Sequence, residues 1–453
     1  MLAAIALTAI VVAAVADDAA AKRSRQPVER AKNVIVLISD GMGYNQLAAA
    51  DYFEYGATGM QVYEAFPVRT AMSTYSFYGS YDPLQAWGVF SYVQANATDS
   101  AAAATAMSTG VKTYDAGLGV DVAKQPLVHV AEEAERRGKA TGVVTSVEWS
   151  HATPAGFVAH NVSRNNYAAI ANEMIAQSAT DVVMGAGSPV FDDDGAPRTP
   201  TSESMYKYVG GSATWAALQA GTAGGDADGD GDADPWALIQ SKDEFEALAV
   251  AVDVPARVCG TAQVATTLQQ GRGGDGMAAP WVVPFNADVP DLQTMTQGAL
   301  NVLDEDEDGF FLMVEGGAVD WAGHANQPGR VIEEQIDFNA AVDAVVAWVD
   351  EHSNWGETLV IVTGDHETGY LWGPGTAANA DGSGRWMPVA NNGAGVLPGM
   401  QFNSGDHTNS LIPFFAKGSA ARHLRERATL IDPVRGAYLD NTDIAEVIFR
   451  TMR

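Results

Sequence analysis

Seven short runs of β-branched, aliphatic and aromatic residues punctuate the chain, and most stop at a glycine or a charged residue. They are VIVLISDG (34–41), ATGVVTS (140–146), DVVMGAG (181–187), ARVCGTA (256–262), GFFLMVEGG (309–317), TLVIVTGDH (358–366) and LIPFFAKG (411–418). A strand with one wet face alternates apolar and polar residues. A run that is apolar throughout has both faces covered, as in a parallel sheet packed between helices. Helical patterns lie between the runs: PLVHVAEEAERRG (126–138) stops at a glycine, and PGRVIEEQIDFNAAVDAVVAWVDEH (328–352) repeats its apolar residues at helical spacing. The alternation predicts an α/β fold, with a central, mostly parallel β-sheet sandwiched between helical layers. No internal repeat is visible. Residues 188–240, rich in Gly, Asp, Ser, Thr and Pro, and residues 373–403, rich in Gly, Ala and Asn, read as insertions on the rim of one domain spanning 31–453.

A chain of 453 residues is long enough for such a fold, and its charge narrows the partners. Against 56 acidic residues stand 26 basic ones, a net charge of −30. Nucleic acid is excluded as a partner, because neutralising phosphates needs a basic footprint. A strongly acidic surface keeps a protein soluble and suits a salty medium. The apolar stretch Leu2–Val15 ends in Ala14-Val15-Ala16, a small-x-small cleavage pattern, so residues 1–16 read as a signal peptide and 17–30 as a loose leader. That stretch is too short to span a bilayer comfortably, and no later segment is apolar enough. The expected destination is periplasmic or extracellular. A single cysteine, Cys259, rules out an intrachain disulfide.

In open α/β sheets ligands bind beyond the carboxyl ends of the strands. Asp40 follows the first run and His151 and Thr153 follow the second; Glu315, Asp320 and His324 follow GFFLMV. Asp365 and His366 follow TLVIVTG, and His407 precedes LIPFF. One such Asp is usually a turn residue. Clusters of His and carboxylate recurring at one end of strand after strand point to bound metal: imidazole and carboxylate suit Zn²⁺, carboxylate and hydroxyl suit Mg²⁺. Asp320 and His324 are four apart, so one helical turn brings them to the same ion. In ATDSAAAATAMSTG (97–110), Ser100 sits where a small-residue helix begins. It caps a helix as readily as it attacks a substrate, but a hydroxyl on Zn²⁺ ionises near neutral pH and needs no histidine base. A helix start also offers free N–H groups to an anion.

The words DGMG (40–43), TDSAAAATAMSTG (98–110), HATPAGFVAH (151–160), VEGGAVDWAGH (314–324), GDHETG (364–369) and GDHT (405–408) stand in the order in which they occur in the alkaline phosphatase family, which the chain resembles over about residues 32–450. The resemblance implies a secreted, metal-dependent phosphomonoesterase, acting on small-molecule phosphate monoesters through a phosphoserine at Ser100, usually as a homodimer. It implies a first Zn²⁺ on Asp320, His324 and His407, a second on Asp40, Asp365 and His366, and a Mg²⁺ on Asp40, Thr153 and Glu315. Arg164, in HNVSRNNY, matches the arginine that grips two phosphate oxygens, and Asp99 the residue that orients it.

Two positions depart from the best-known bacterial pattern, in which Asp precedes the Ala-Thr and Lys follows the zinc-binding Asp. Here they are His151 and Trp321. His151 is expected to reach the third metal site and favour Zn²⁺ there. Trp321 removes a positive charge near phosphate, which predicts weaker product binding. Separately, DADGDGDADPWA (226–237) places Asp226, Asp228, Asp230 and Asp234 at positions 1, 3, 5 and 9 of a Ca²⁺ loop, with Ala237 where Glu is usual. The competing reading of that stretch is a solvated acidic loop. The competing functions are a phosphodiesterase or sulfatase of the same superfamily and, more distantly, an inactive calcium-binding surface protein.

Overall fold

The computed structural model describes residues 29–227 and 232–452. The signal and leader segments before residue 29, and Asp228 and Asp230 of the acidic loop, lie outside the described residues. The strands are β1 (Asn33–Ser39), β2 (Val68–Ser73), β3 (Ala140–Glu148), β4 (Val182–Ala186), β5 (Ala237–Ile239), β6 (Val258–Thr261), β7 (Phe310–Gly316), β8 (Thr358–Thr363), β9 (Ile412–Gly418), β10 (Leu430–Asp432) and β11 (Gly436–Asp440). They form one sheet in the order β10-β11-β2-β9-β8-β1-β7-β3-β4-β6-β5. From β8 to β5 every neighbouring pair is parallel. All seven apolar runs are strands of it. The seventh, β9, runs antiparallel to both β8 and β2, because an uninterrupted apolar run reports two covered faces and not strand direction.

The covered faces show in how successive side chains part. Val34, Val36 and Ile38 of β1 join one core cluster, and Ile35 and Leu37 join another across the sheet. Strand β7 divides likewise, Phe311 and Met313 against Phe310, Leu312 and Val314. The first face is covered by helices α1 (Ser100–Thr109) and, near the chain end, Thr442–Thr451; the second by α2 (Leu292–Leu303) and α3 (Pro328–His352). Every residue of α1 is buried, which its alanines permit by keeping the helix thin. Helix α3 fills the predicted 328–352. The 126–138 pattern yields a shorter helix, Val130–Arg136.

Within 188–240, Glu203–Val209 forms a 3₁₀ helix, Ser212–Gln219 an α-helix, and Ala237–Ile239 becomes the sheet's edge strand β5. Within 373–403 the backbone makes short antiparallel pairings, such as Ala377–Ala378 with Gly384–Arg385. Among the described residues no helix is long and apolar enough to cross a membrane.

Candidate active site

The carboxyl ends of β1, β7 and β8 lie side by side, since Ile38 pairs with both Glu315 and Thr363. The residues that follow therefore meet. Asp40 leaves β1 and is succeeded by Gly41 at φ +80, where a Cβ would stand 2.7 Å from the Asp320 backbone. Only glycine lets the chain turn there and bring Asp40 close to Asp320. Asp365 Oδ1 accepts hydrogen bonds from the backbone N–H of Gly41 (3.1 Å) and of His366 (2.8 Å), which locks the turn after β8.

Two sets of donors converge. His366 Nε2 lies 3.1 Å from Asp365 Oδ2 and 3.6 Å from Asp40 Oδ1. Beside it, Asp320 Oδ1 lies 3.4 Å from both His324 Nε2 and His407 Nε2, which are 3.0 Å from each other. Each imidazole is oriented through its other nitrogen: His324 Nδ1 donates to the Gly405 carbonyl (2.6 Å), and His407 Nδ1 to the Thr98 carbonyl (2.9 Å). His366 Nδ1 faces Thr368 Oγ1 at 3.3 Å. Fixing Nδ1 in this way leaves Nε2 for a metal.

These residues fit metal ions. Asp40 Oδ1, Asp365 Oδ2, Glu315 Oε1 and Thr153 Oγ1 are buried without hydrogen-bond partners. Burial, then the charges of Asp365, Asp320 and Glu315, raise the Asp40 carboxyl well above its ordinary range. Burial pushes Glu315 up to about 7 and Asp365 up to about 6. Burial also opposes the charge of Asp320, but His407, bonded to it, with His324 and His366, outweighs that and holds it low. The converse pull lifts His407 to about 9 against burial. Acids crowded this closely repel unless cations stand among them.

Ser100 opens α1 and is 2% exposed; its Oγ lies 3.3 Å from His366 Nε2. Asp99 does two things at once. Its Oδ1 caps α1 by accepting from Ala102 N (3.0 Å), and its Oδ2 accepts from the Arg164 guanidinium (3.1 Å). Arg164, Ser100, Asp320, Trp321, His324 and His407 line an open cavity of about 620 Å³.

His151 lies beside Arg164 and Trp321. Its Nε2 is 3.3 Å from the Arg164 guanidinium, its ring lies edge-on to Trp321 with centroids 5.6 Å apart, and its Nδ1 is buried without a partner. Burial, then Arg164, drive its pKa down to about 3, so the ring is neutral. It belongs to neither of the two convergent donor sets. In the acidic loop Ala227 N donates to Asp234 Oδ2 (2.8 Å).

Sequence reasoning did not single out Thr368, which donates to Asp320 Oδ1 and faces His366. Its signal was its place two residues past His366 in GDHETG. It also missed Gln270, which lines the cavity from a loop with no local signature.

A family model described as alkaline phosphatase matches residues 31–214 and 264–394. The chain belongs to the alkaline phosphatase family. It is 31% identical over 393 residues to alkaline phosphatase 3 of Bacillus subtilis (strain 168), covering 85% of this chain and 71% of that protein. It is likewise 31% identical over 373 residues to the alkaline phosphatase of Escherichia coli (strain K12), covering 77% of this chain and 73% of that one. Among solved structures, a histidine-to-aspartate variant of TAB5 alkaline phosphatase with Mg bound in the M3 site superposes with a TM-score of 0.63 at 26% identity, covering 94% of this chain and 99% of that chain. As a family phosphomonoesterase the protein is a hydrolase, and the α/β fold with its large central sheet is the fold of these phosphatases.

Proposed function

We propose that the protein transfers the phosphoryl group of a phosphate monoester to Ser100 and then to water, at a site of two Zn²⁺ and one Mg²⁺. The observation that carries this reading is the convergence of three oriented imidazoles and four acids at the strand ends, with His366 Nε2 3.3 Å from the Ser100 hydroxyl and Arg164 lining the same cavity. Asp320, His324 and His407 would hold one Zn²⁺, Asp40, Asp365 and His366 the other, and Asp40, Thr153 and Glu315 the Mg²⁺; the unpartnered Nδ1 of His151 is the atom left for that third ion. Bound there, the ions supply positive charge that favours ionised Ser100 and water and steadies the leaving oxygen. Arg164 forks onto two non-bridging oxygens while Asp99 fixes its plane. The free N–H groups at the start of α1 face the same anion. Ser100 Oγ bonds to phosphorus as the ester oxygen leaves with its electron pair; water then bonds to phosphorus as Ser100 leaves, giving inorganic phosphate.

Export follows from the Leu2–Val15 stretch, and the homodimer from the family resemblance alone. Ca²⁺ on Asp226, Asp228, Asp230 and Asp234 rests on their spacing. The test is turnover of p-nitrophenyl phosphate against its bis-ester, with acid trapping and mass spectrometry of the Ser100 peptide. Preference for the monoester and a phosphorylated Ser100, absent in Ser100→Ala, are expected. Preference for the diester would favour the phosphodiesterase reading, which the Arg164–Asp99 pair argues against.

A further inference from the structure

Away from the strand ends another buried imidazole keeps a ring nitrogen without a partner. His129 is fully buried, and its Nδ1 makes no hydrogen bond. Burial, then the charge of His160, hold its pKa well below the ordinary value, so the ring is neutral. An unanswered polar group inside a protein costs free energy, which calls for an explanation.

The surroundings supply one. Nε2 is walled in by Gly119, where a Cβ would come within 2.4 Å of it. Nδ1 instead faces Glu132 Oε2 at 3.5 Å, too long for a good hydrogen bond; with the ring proton on Nε2 beside the Ala159 carbonyl, the Nδ1 lone pair is repelled by the carboxylate unless a cation lies between. His160 stacks on His129 with ring centroids 4.2 Å apart. Its Nε2 lies 3.8 Å from the same Glu132 oxygen and 2.7 Å from the Leu127 carbonyl. Its Nδ1 is 3.1 Å from Glu173 Oε1, which also accepts from the His160 backbone N–H at 2.8 Å. A carboxylate on one imidazole nitrogen is the usual support for a metal on the other. The ligand atoms of His129, Glu132 and His160 lie within 4.8 Å of one another, as do those of the two strand-end sets.

We propose that His129 Nδ1, Glu132 Oε2 and His160 Nε2 bind one divalent ion of the zinc type, separate from the strand-end metals, with the Leu127 carbonyl as a fourth donor. Two nitrogens and two oxygens suit zinc at a four-coordinate structural site. Binding displaces the proton from His160 Nε2, so affinity falls as pH falls. The ion ties the loop of Gly119 and Leu127 to the segment that presents Arg164, four residues past His160. That segment is already anchored beyond it by Arg164 N donating to the Ala116 carbonyl (2.8 Å).

The test is anomalous diffraction at the zinc edge on wild-type crystals grown with Zn²⁺, beside elemental analysis of wild type, His129→Ala and Glu132→Gln. A peak between His129 and His160, and one zinc equivalent fewer in each variant, are expected. No peak there, whatever the strand ends hold, or equal zinc in wild type and variants, overturns the proposal. Glu132→Gln keeps an acceptor for the His129 backbone N–H, so it reports even where His129→Ala does not fold, and the wild-type crystal depends on neither.

Discussion

Two groups of buried acids answer their charge in opposite ways. At the strand ends Asp40, Glu315, Asp320 and Asp365 meet imidazoles, and three of the four keep an oxygen with no partner. On α3, Glu333 is bound by protein: Arg272 donates to its Oε2 (2.8 Å) and the Trp281 N–H to its Oε1 (2.6 Å). Its neighbour Asp337 accepts from Leu292 N at 3.3 Å. Glu333 thus has a permanent cation built in. The strand-end acids have His407 beside Asp320 alone, and Arg164 is already claimed by Asp99, which leaves Asp40, Glu315 and Asp365 for the proposed metal ions to balance. The first arrangement pins the loop that carries Gln270 to the cavity wall, through Arg272 and through Arg330 donating to the Gln270 and Gly273 carbonyls. The second leaves a charge to be used.

If that contrast is right, stripping divalent ions abolishes the strand-end function and leaves the α3 group alone. Chelation should lower p-nitrophenyl phosphate turnover by at least about 10³-fold, worth several kcal/mol, with recovery on adding Zn²⁺ and Mg²⁺. Full activity in protein shown metal-free by elemental analysis would break the comparison at its root. Next, Arg272→Ala should cost about 3–5 kcal/mol in denaturant unfolding, because Glu333 stays buried unpaired, while bound metal is unchanged. Lost metal would show that the two groups are coupled.

A third measurement probes the one α3 acid with an unpartnered oxygen, Glu334. Burial, then Asp337 and Glu333, push its pKa up to about 8. Its favourable contribution is therefore present below the ordinary carboxylate range and is lost as pH rises through about 8. Glu334→Gln should stabilise the protein by about 1–3 kcal/mol at pH ~9 and by less at pH ~5; an equal gain at both would show that charge is not the cause. The smallest effect expected is from Trp321→Lys, which adds a cation beside the strand-end group. Phosphate should inhibit about threefold to fivefold more tightly, under ~1 kcal/mol for a partly exposed charge. An unchanged inhibition constant would mean that Trp321 does not set product affinity.

Legibility in the sequence followed burial. Strands covered on both faces carry their own signature, so β1, β3, β4, β6, β7, β8 and β9 are readable. The strands at the sheet's two ends are not. β10 is largely exposed and β5 is only half-buried, and neither carries a continuous apolar run. Site residues adjoining the readable strands were readable with them. The residues of β3 say nothing of how the His151 ring is turned; that depends on Tyr167 and Trp321, which pack around it. Thr368 and Gln270 likewise acquire their places only when distant segments close on them.

By itself the sequence determined the layered sheet, because hydrophobic burial acts on every residue of a run and repeats along the chain. It also determined which chemical groups stand at the strand ends, since they are neighbours in sequence of the strands that carry them. Tertiary structure alone decided which nitrogen each imidazole presents, which acid meets which cation, and that His129 lies within reach of His160. Those are matters of a few ångströms between residues far apart in the chain, set by how helices and loops pack, and no local pattern encodes them.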